Sequence, residues 1–252
     1  MISIHRVYSF ATLLLLWFLL SVGFPPSVIP GPVAVAKAVV EDLRTGEPWF
    51  HISITLLRVG LGLVLAMLLG VGVGLVMGLS RKGELFFDSW VVIGLTVPAI
   101  VYGMICLLWF GLNDFAAVIA IGITAFPAVG INVWQGVKDI DLRLVAVGKV
   151  CRLSRRSIIW KIILPQLIPY LLGSSRYALG ICWKICTTIE LIGLSSGVGF
   201  MLNYWFGLFS MTQVFAWTLM FLVVMLALEF ILFRPVERRL TVWRPAPASL
   251  RF

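Results

Sequence analysis

The chain has 252 residues, of which 61% are hydrophobic and only 12% charged, and its mean hydropathy is +1.05. That balance excludes a soluble domain, because too little polar surface is present to wrap so much apolar mass. The formal net charge of +9 is spread unevenly, so it bears on membrane topology rather than on nucleic acid, which is not implied as a partner.

In chain order, the first apolar run spans Phe10 to Phe24, preceded by Arg6 and followed by a Pro-rich stretch from Pro25 to Pro32. No small-x-small cleavage site precedes the prolines and further spans follow, so the run reads as a retained helix. Five more runs follow, roughly Leu56 to Leu79, Ser89 to Phe110, Phe115 to Trp134, Ile168 to Ile192 and Val214 to Phe233. Each is close to the ~20 residues that cross a ~30 Å hydrocarbon core. All six are expected to be helices, because an open strand edge leaves backbone groups unpaired in lipid and the alternation of a barrel is missing. The expectation is one all-α transmembrane domain over residues 1–252, in contact with membrane lipids on its outer faces.

With both termini placed inside, the inner segments collect fifteen cations: Arg6, Arg81, Lys82, seven from Lys138 to Lys161, and Arg234, Arg238, Arg239, Arg244 and Arg251. The outer segments hold only Lys37 and Arg44. This asymmetry predicts cytoplasmic termini. The second span carries Gly62, Ala66, Gly70, Gly74 and Gly78, a small residue at every fourth position. Such a ridge admits close approach of another helix, within the same subunit or at a subunit interface.

Between the fourth and fifth spans lies a basic segment from Lys138 to Pro165. Asp141 is a candidate N-cap for a short helix over Leu142 to Cys151, and Ser154 for a second over Arg155 to Ile163, with Pro165 expected to stop it. Two short helices and a tight turn make a compact knob, with Arg152, Arg155 and Arg156 at the turn and Ile158, Ile159, Ile162 and Ile163 recurring as an apolar face.

Ionisable groups inside spans are costly and face a cavity or a partner. Arg58 and Arg176 are expected near helix ends, snorkelling or paired. Lys184 and Glu190 fall within the fifth span, six residues apart, so a direct pair along the helix is disfavoured. Lys184 either lines a polar route or makes a structural pair. The run Gly193 to Gly199, with Ser195, Ser196 and Gly197, breaks the fifth helix as an ordinary turn or as part of a gate. Cys182 and Cys186 share a helix face, but His5 and His51 are too far off to complete a metal site. Neither a phosphate loop nor a His-Glu-x-x-His motif occurs, so no catalytic residue or cofactor is expected in this chain and its energy must come from a partner.

The segment from Asp141 to Pro165 resembles the cytoplasmic loop of permease subunits of bacterial ABC importers, whose pattern is Glu-Ala-Ala, Gly four residues on, then Ile-x-Leu-Pro. Ile162, Leu164 and Pro165 match, as do Ser154 and Arg155, often present in the nitrate, sulfonate and taurine branch. Leu57-Arg58-Val59, Val97-Pro98-Ala99, Trp109-Phe110-Gly111, Phe126-Pro127, Ala178-Leu179-Gly180, Glu190 and Ser195-Ser196-Gly197-Val198-Gly199 also look like that branch, so the resemblance covers nearly the whole chain.

The resemblance implies a type I permease fold and half of a translocation pathway in the bacterial inner membrane. It implies a second permease subunit, commonly identical, two cytoplasmic ATP-binding subunits carrying ATP and Mg, and an external solute-binding protein. It also implies that the knob is the coupling helix docking the ATPase, with Asp141, Ala146, Gly148, Arg152, Ser154, Arg155, Arg156, Leu164 and Pro165 as candidate contacts. Two departures stand out. The motif's Glu-Ala-Ala falls on Ala146-Val147-Gly148, and its Gly falls on Arg152, where a positive φ strains a non-glycine residue by ~1 kcal/mol. The leading expectation is an importer for a sulfonate- or nitrate-like anion. The runner-up is a scaffold or sensor subunit with weakened ATPase coupling; an ion-coupled carrier is a third reading, weakened by the lack of a visible inverted repeat.

Overall fold

A computed structural model describes residues 4–240 of the chain. Arg244 and Arg251, counted among the inner cations, lie outside the described residues. The elements in order are α1 (Ile4–Gly23), α2 (Pro32–Thr45), α3 (Glu47–Leu79), α4 (Arg81–Thr96), α5 (Ala99–Phe110), α6 (Asp114–Lys138), α7 (Leu142–Val150), α8 (Arg155–Ile158), a π turn (Ile159–Ile163), α9 (Leu164–Gly193), α10 (Val198–Gly207), α11 (Met211–Leu228), a second π turn (Glu229–Phe233) and α12 (Arg234–Leu240). No strand occurs among the described residues.

Among the described residues, four helical stretches are long and apolar enough to cross a membrane: Glu47–Leu79, Asp114–Lys138, Arg155–Gly193 and Met211–Val236. The expected third span differs from the sequence reading, because it is two helices, α4 and α5, bent by 96° at their junction. The cause is local. Pro98 pushes Val97 out of the helical region, to φ −68° and ψ 127°, and has no N–H to continue the ladder. The first run is a shorter apolar helix over Tyr8–Gly23. The second span begins more than two turns earlier than hydropathy suggests, at Glu47.

The chain forms two compact units, one holding the residues up to Leu57 with Thr187–Leu226, the other Arg58–Cys186 with the residues from Ala227. The first unit has an apolar core of Ile52, Val198, Met201, Trp217 and Met220, and a smaller cluster where Val35 and Ala38 of α2 meet Ala216. Helix α2 starts with Pro32 just after Gly31 and ends at Gly46, whose φ is 83°. This is the expected order of Pro at the start and left-handed Gly at the end. The indole of Trp17 donates to Pro30 O at 3.1 Å, fastening the Pro-rich stretch to α1.

The second unit is organised by the glycine ridge. A Cβ added at Gly70 would lie 2.5 Å from Val129, one at Gly74 2.7 Å from Val133, and one at Gly78 2.5 Å from Val137; Gly62 faces Ile121 in the same way, and Ala66 is fully buried. Partner numbers rise together along both helices, so α3 and α6 run parallel, with small residues on one and β-branched residues on the other. A parallel pair separated by α4 and α5 requires the bent pair to carry the chain back once. Gly94 of α4 seats the ring of Pro127, 2.6 Å from where its own Cβ would be, so α4 packs on α6 at the one residue of α6 that cannot donate a backbone bond.

Candidate functional site

The knob is built from caps. Asp141 accepts from Arg143 N–H at 2.8 Å, opening α7, and its own N–H donates to Gln166 Oε1 at 2.8 Å, which ties the entry of the knob to α9. Ser154 accepts from Ser157 N–H at 3.2 Å and opens α8. Between the two helices Arg152 N–H donates to Lys149 O at 2.9 Å and Leu153 N–H to Gly148 O at 3.0 Å. That is the pair of bonds of a Schellman turn, and it puts the residue after the cap in the left-handed region. Arg152 has φ 55°, so the turn closes with arginine where the family pattern has glycine. Gly148 is buried beneath it, and a Cβ there would lie 2.7 Å from Ile162. The surface of the knob is exposed at Ala146, Arg152, Ser154, Arg155 and Arg156, with Leu142, Val147 and Val150 also open.

Pro165 does not stop the second helix, contrary to the sequence reading. The helical path runs unbroken over Arg155–Gly193 because the turn just before the proline is a π turn, closed by Leu164 N–H on Ile159 O. Widening the turn makes room for the ring and removes the bond that Pro165 cannot donate. Ile158 is buried while Ile159 is exposed, so the four isoleucines do not share one face.

The break after the fifth span forms the most polar buried cluster of the first unit. Helix α9 ends at Gly193 and α10 begins after Gly197, which has φ 107° and no side chain to cap with. Its first N–H groups are instead met by side chains of α3 and α9. Gly197 N–H donates to His51 Nδ1 at 3.0 Å, Val198 N–H to Thr55 Oγ1 at 2.9 Å and Gly199 N–H to Glu190 Oε2 at 2.9 Å. Thr55 Oγ1 lies 2.9 Å from Glu190 Oε1, and both side chains are buried. A carboxyl group at a helix N-terminus meets both the orphan donors and the positive end of the dipole. A Cβ on Gly197 would strike the Glu190 carboxyl, and one on Gly199 would lie 2.7 Å from Glu190 Cβ. Ser195 is exposed and Ser196 half-buried at the edge of this cluster.

Two charged residues of the spans, Arg58 and Arg176, lie mid-helix rather than near helix ends. Arg58 lies mid-helix in α3, 2% exposed, and donates to Asp114 Oδ1 through Nε at 2.9 Å and through its terminal NH2 at 2.6 Å. Arg176 lies mid-helix in α9 and pairs with Glu229. Lys184 is exposed on α9. Thr55, Asp114 and Gln166 are not singled out by the sequence, and His51 is weighed there only as a metal ligand. His51 and Thr55 are one turn apart on a helix that hydropathy starts only at Leu56, so they read as loop; their i, i+4 spacing was the available signal.

Long apolar helices, a parallel pair locked by a glycine ridge and a capped knob between α6 and α9 define a multi-pass helical membrane protein. Residues 62–242 match the family described as "Binding-protein-dependent transport system inner membrane component", and the chain belongs to that family. It is 34% identical over 219 residues, 86% of this chain and 79% of the relative, to the "Putative aliphatic sulfonates transport permease protein" of Bacillus subtilis (strain 168). It is 27% identical to the taurine transport system permease protein of Escherichia coli (strain K12), over 92% of this chain and 87% of the relative. A nitrate import permease protein of Synechococcus elongatus is 28% identical over 75% of this chain and 71% of its own length. Among solved structures, an inward-facing conformation of the MetNI methionine ABC transporter superposes with a TM-score of 0.65 at 16% identity, covering 78% of this chain and 95% of that one, and so shares the fold. The chain is thus an inner-membrane permease subunit of an ABC importer, of the type I fold, and not itself an enzyme.

Proposed function

We propose that the chain forms half of the translocation pathway of a homodimeric importer for a small oxyanion of the sulfonate or nitrate kind, with both termini cytoplasmic and the knob from Asp141 to Pro165 seated on the ATPase. The names of the sulfonate, taurine and nitrate relatives support the solute class. ATP and Mg belong to the partner ATPase, an external binding protein delivers the solute, and lipid covers the exposed apolar side chains of the spans. The observation that carries the docking reading is the knob itself: caps at both helices and a closed turn hold Arg155 and Arg156 exposed on a rigid mount. Movement of such a knob turns the attached helices between inward- and outward-facing states, and the cluster of Glu190, Thr55 and α10 is the candidate gate at the far end of α9.

Reversing Arg155 and Arg156 to Glu should release the ATPase from the detergent-solubilised complex while the permease stays folded, because exposed charges add little to its own stability. Retention of the ATPase would refute basic docking. Orientation is checked with a thiol reagent that cannot cross membranes. It should reach exposed Cys151 only after permeabilisation, and a cysteine placed at Ser27 in a Cys151→Ser background from outside; the reverse pattern would overturn the topology.

The second reading, a subunit with weakened coupling, is favoured by Ala146, which removes the acid of the family motif from an exposed position. The closed turn at Arg152 speaks for the coupling reading. Restoring Glu at Ala146 and Gly at Arg152 distinguishes the two, since a large rise in transport would mark the present knob as degraded.

A further inference from the structure

A groove of about 490 Å³ opens on the second unit between α4, α6 and α9, lined by Leu95, Ala128, Asn132, Gln135, Gly173 and Tyr177. Its size suits a small solute. Its chemistry is unusual for a span. Helix α6 is apolar enough to cross a membrane, yet it points two carboxamides, one turn apart, into the groove. Across from them α9 presents the Tyr177 phenol. The Asn132 amide donates to Ala128 O at 2.9 Å, which fixes its rotamer and leaves a second N–H. The face of α9 that contributes Gly173 and Tyr177 continues through Gly180 to Lys184, at spacings of four, three and four residues that keep one side of a helix. A Cβ added at Gly173 or at Gly180 would have nothing within 4 Å, so that face is open along its length. The opposite face, with Ser174, Ala178, Cys182 and Ile185, is buried.

We propose that this groove is a low-affinity oxyanion subsite on the translocation route, in which the amide N–H groups of Asn132 and Gln135 and the hydroxyl of Tyr177 donate to the solute's anionic oxygens. The site lies toward the knob end of α6, with Gln135 one turn before Lys138, and Lys184 is about 10 Å further along the same face of α9 at ~1.5 Å per residue. Neutral donors suit a place of release. They replace part of the hydration of an oxyanion without the full attraction of a cation, so the ion enters and also leaves. Charge-assisted bonds to a guanidinium are roughly twice as strong and would hold it. The subsite therefore places uncharged donors where the solute is handed on toward the knob end of α6. This inference rests on the permease reading above and adds where the solute is held and by which groups.

The test uses the complete complex of permease, ATPase and binding protein, in a Cys151→Ser background, with Gln135→Cys or Tyr177→Cys. Two thiol reagents of similar size are compared, 2-sulfonatoethyl methanethiosulfonate and its trimethylammonium counterpart, with rates corrected for their reaction with free cysteine. The sulfonate reagent should react at least fivefold faster than the cation at both positions, and millimolar ethanesulfonate should slow it. Equal rates, preference for the cation, or no reaction with either would overturn the proposal, the last because the groove would then be closed by lipid or by a second copy. A separate measurement follows uptake of labelled ethanesulfonate by proteoliposomes containing Asn132→Leu/Gln135→Leu. Uptake should fall at least tenfold with the ATPase still bound, and unchanged uptake would also overturn the subsite. If the unsubstituted complex takes up no sulfonate, the solute class proposed above fails, while the thiol rates still decide whether the groove favours an oxyanion.

Discussion

Thr55→Val replaces a hydroxyl by a methyl of nearly the same volume at a fully buried position, so its effect isolates the hydrogen bonds of the α10 N-terminus. The hydroxyl oxygen lies 2.9 and 3.0 Å from the two Glu190 carboxyl oxygens and 3.1 Å from His51 O, and accepts from Val198 N–H at 2.9 Å. Its single proton serves one of the three acceptors, so the substitution removes one donated and one accepted bond. Losing the donated bond costs about 1–2 kcal/mol, and stranding the buried Val198 N–H about 1–3 kcal/mol. Interhelical hydrogen bonds in membrane proteins fall at the low end of such ranges, so a total of about 2–4 kcal/mol is expected. For a chain of this size that is a fall in Tm of roughly 5–10 °C. The assay is thermal unfolding in detergent of Cys151→Ser protein, followed by a dye that reacts with the buried Cys106, Cys182 and Cys186 as they become exposed. Thr55→Ser, which keeps the hydroxyl, should stay within about 1 kcal/mol of the unsubstituted protein. If Thr55→Val and Thr55→Ser melt together, the hydroxyl does not hold the N-terminus of α10 and the bond to Val198 N–H adds nothing to stability.

Arg152→Gly should raise stability by about 1 kcal/mol, because the left-handed backbone at φ 55° strains every residue but glycine; a lower Tm would show that the arginine side chain contributes more than the strain costs. Asp42 of α2 is held above the ordinary carboxylate range chiefly by burial, with Glu47 and Glu41 adding to it and the Gln213 hydrogen bond opposing. A raised folded pKa means that the protonated form stabilises the fold below the unfolded value and that this contribution is lost as pH rises through the folded one. Asp42→Asn should therefore raise Tm at pH 7 and lose that advantage as the medium is acidified toward pH ~4; a gain that grows on acidification would contradict the assignment. Lys184→Met should weaken anion uptake with an unchanged Tm if the ammonium lines the route, and lower Tm if it neutralises a buried acid. Unchanged uptake with unchanged Tm would eliminate both roles.

How much could be read from the sequence depended on the range of the interaction. Signals confined to a turn or two came through: the caps at Asp141 and Ser154, the positive φ at Arg152, and the break between Gly193 and Gly199. Hydropathy located the apolar helices, since lipid forces every spanning segment to satisfy its own backbone. It misjudged places where polar residues continue a helix beyond its apolar part, and so began α3 at Leu56 rather than Glu47. It also passed over α2, which is too polar to register, and α10, which is too short to span.

Local rules misled at the prolines, because their consequence depends on what surrounds them. Pro98 bends the chain by 96°, Pro127 sits inside α6 with its ring seated on Gly94, and Pro165 is absorbed by a π turn. The residue type is the same in each case, and only packing and the available turn geometry select the outcome. The candidate gate is the clearest product of tertiary structure. His51, Thr55 and Glu190 come from helices more than a hundred residues apart, and each meets a backbone N–H that Gly197 cannot cap. Composition and periodicity determine that this chain is a helical membrane protein, because burial in lipid is a property of each segment alone; the pairing of its buried polar groups is decided only by the fold, because hydrogen bonds need partners at about 3 Å whatever their separation in sequence.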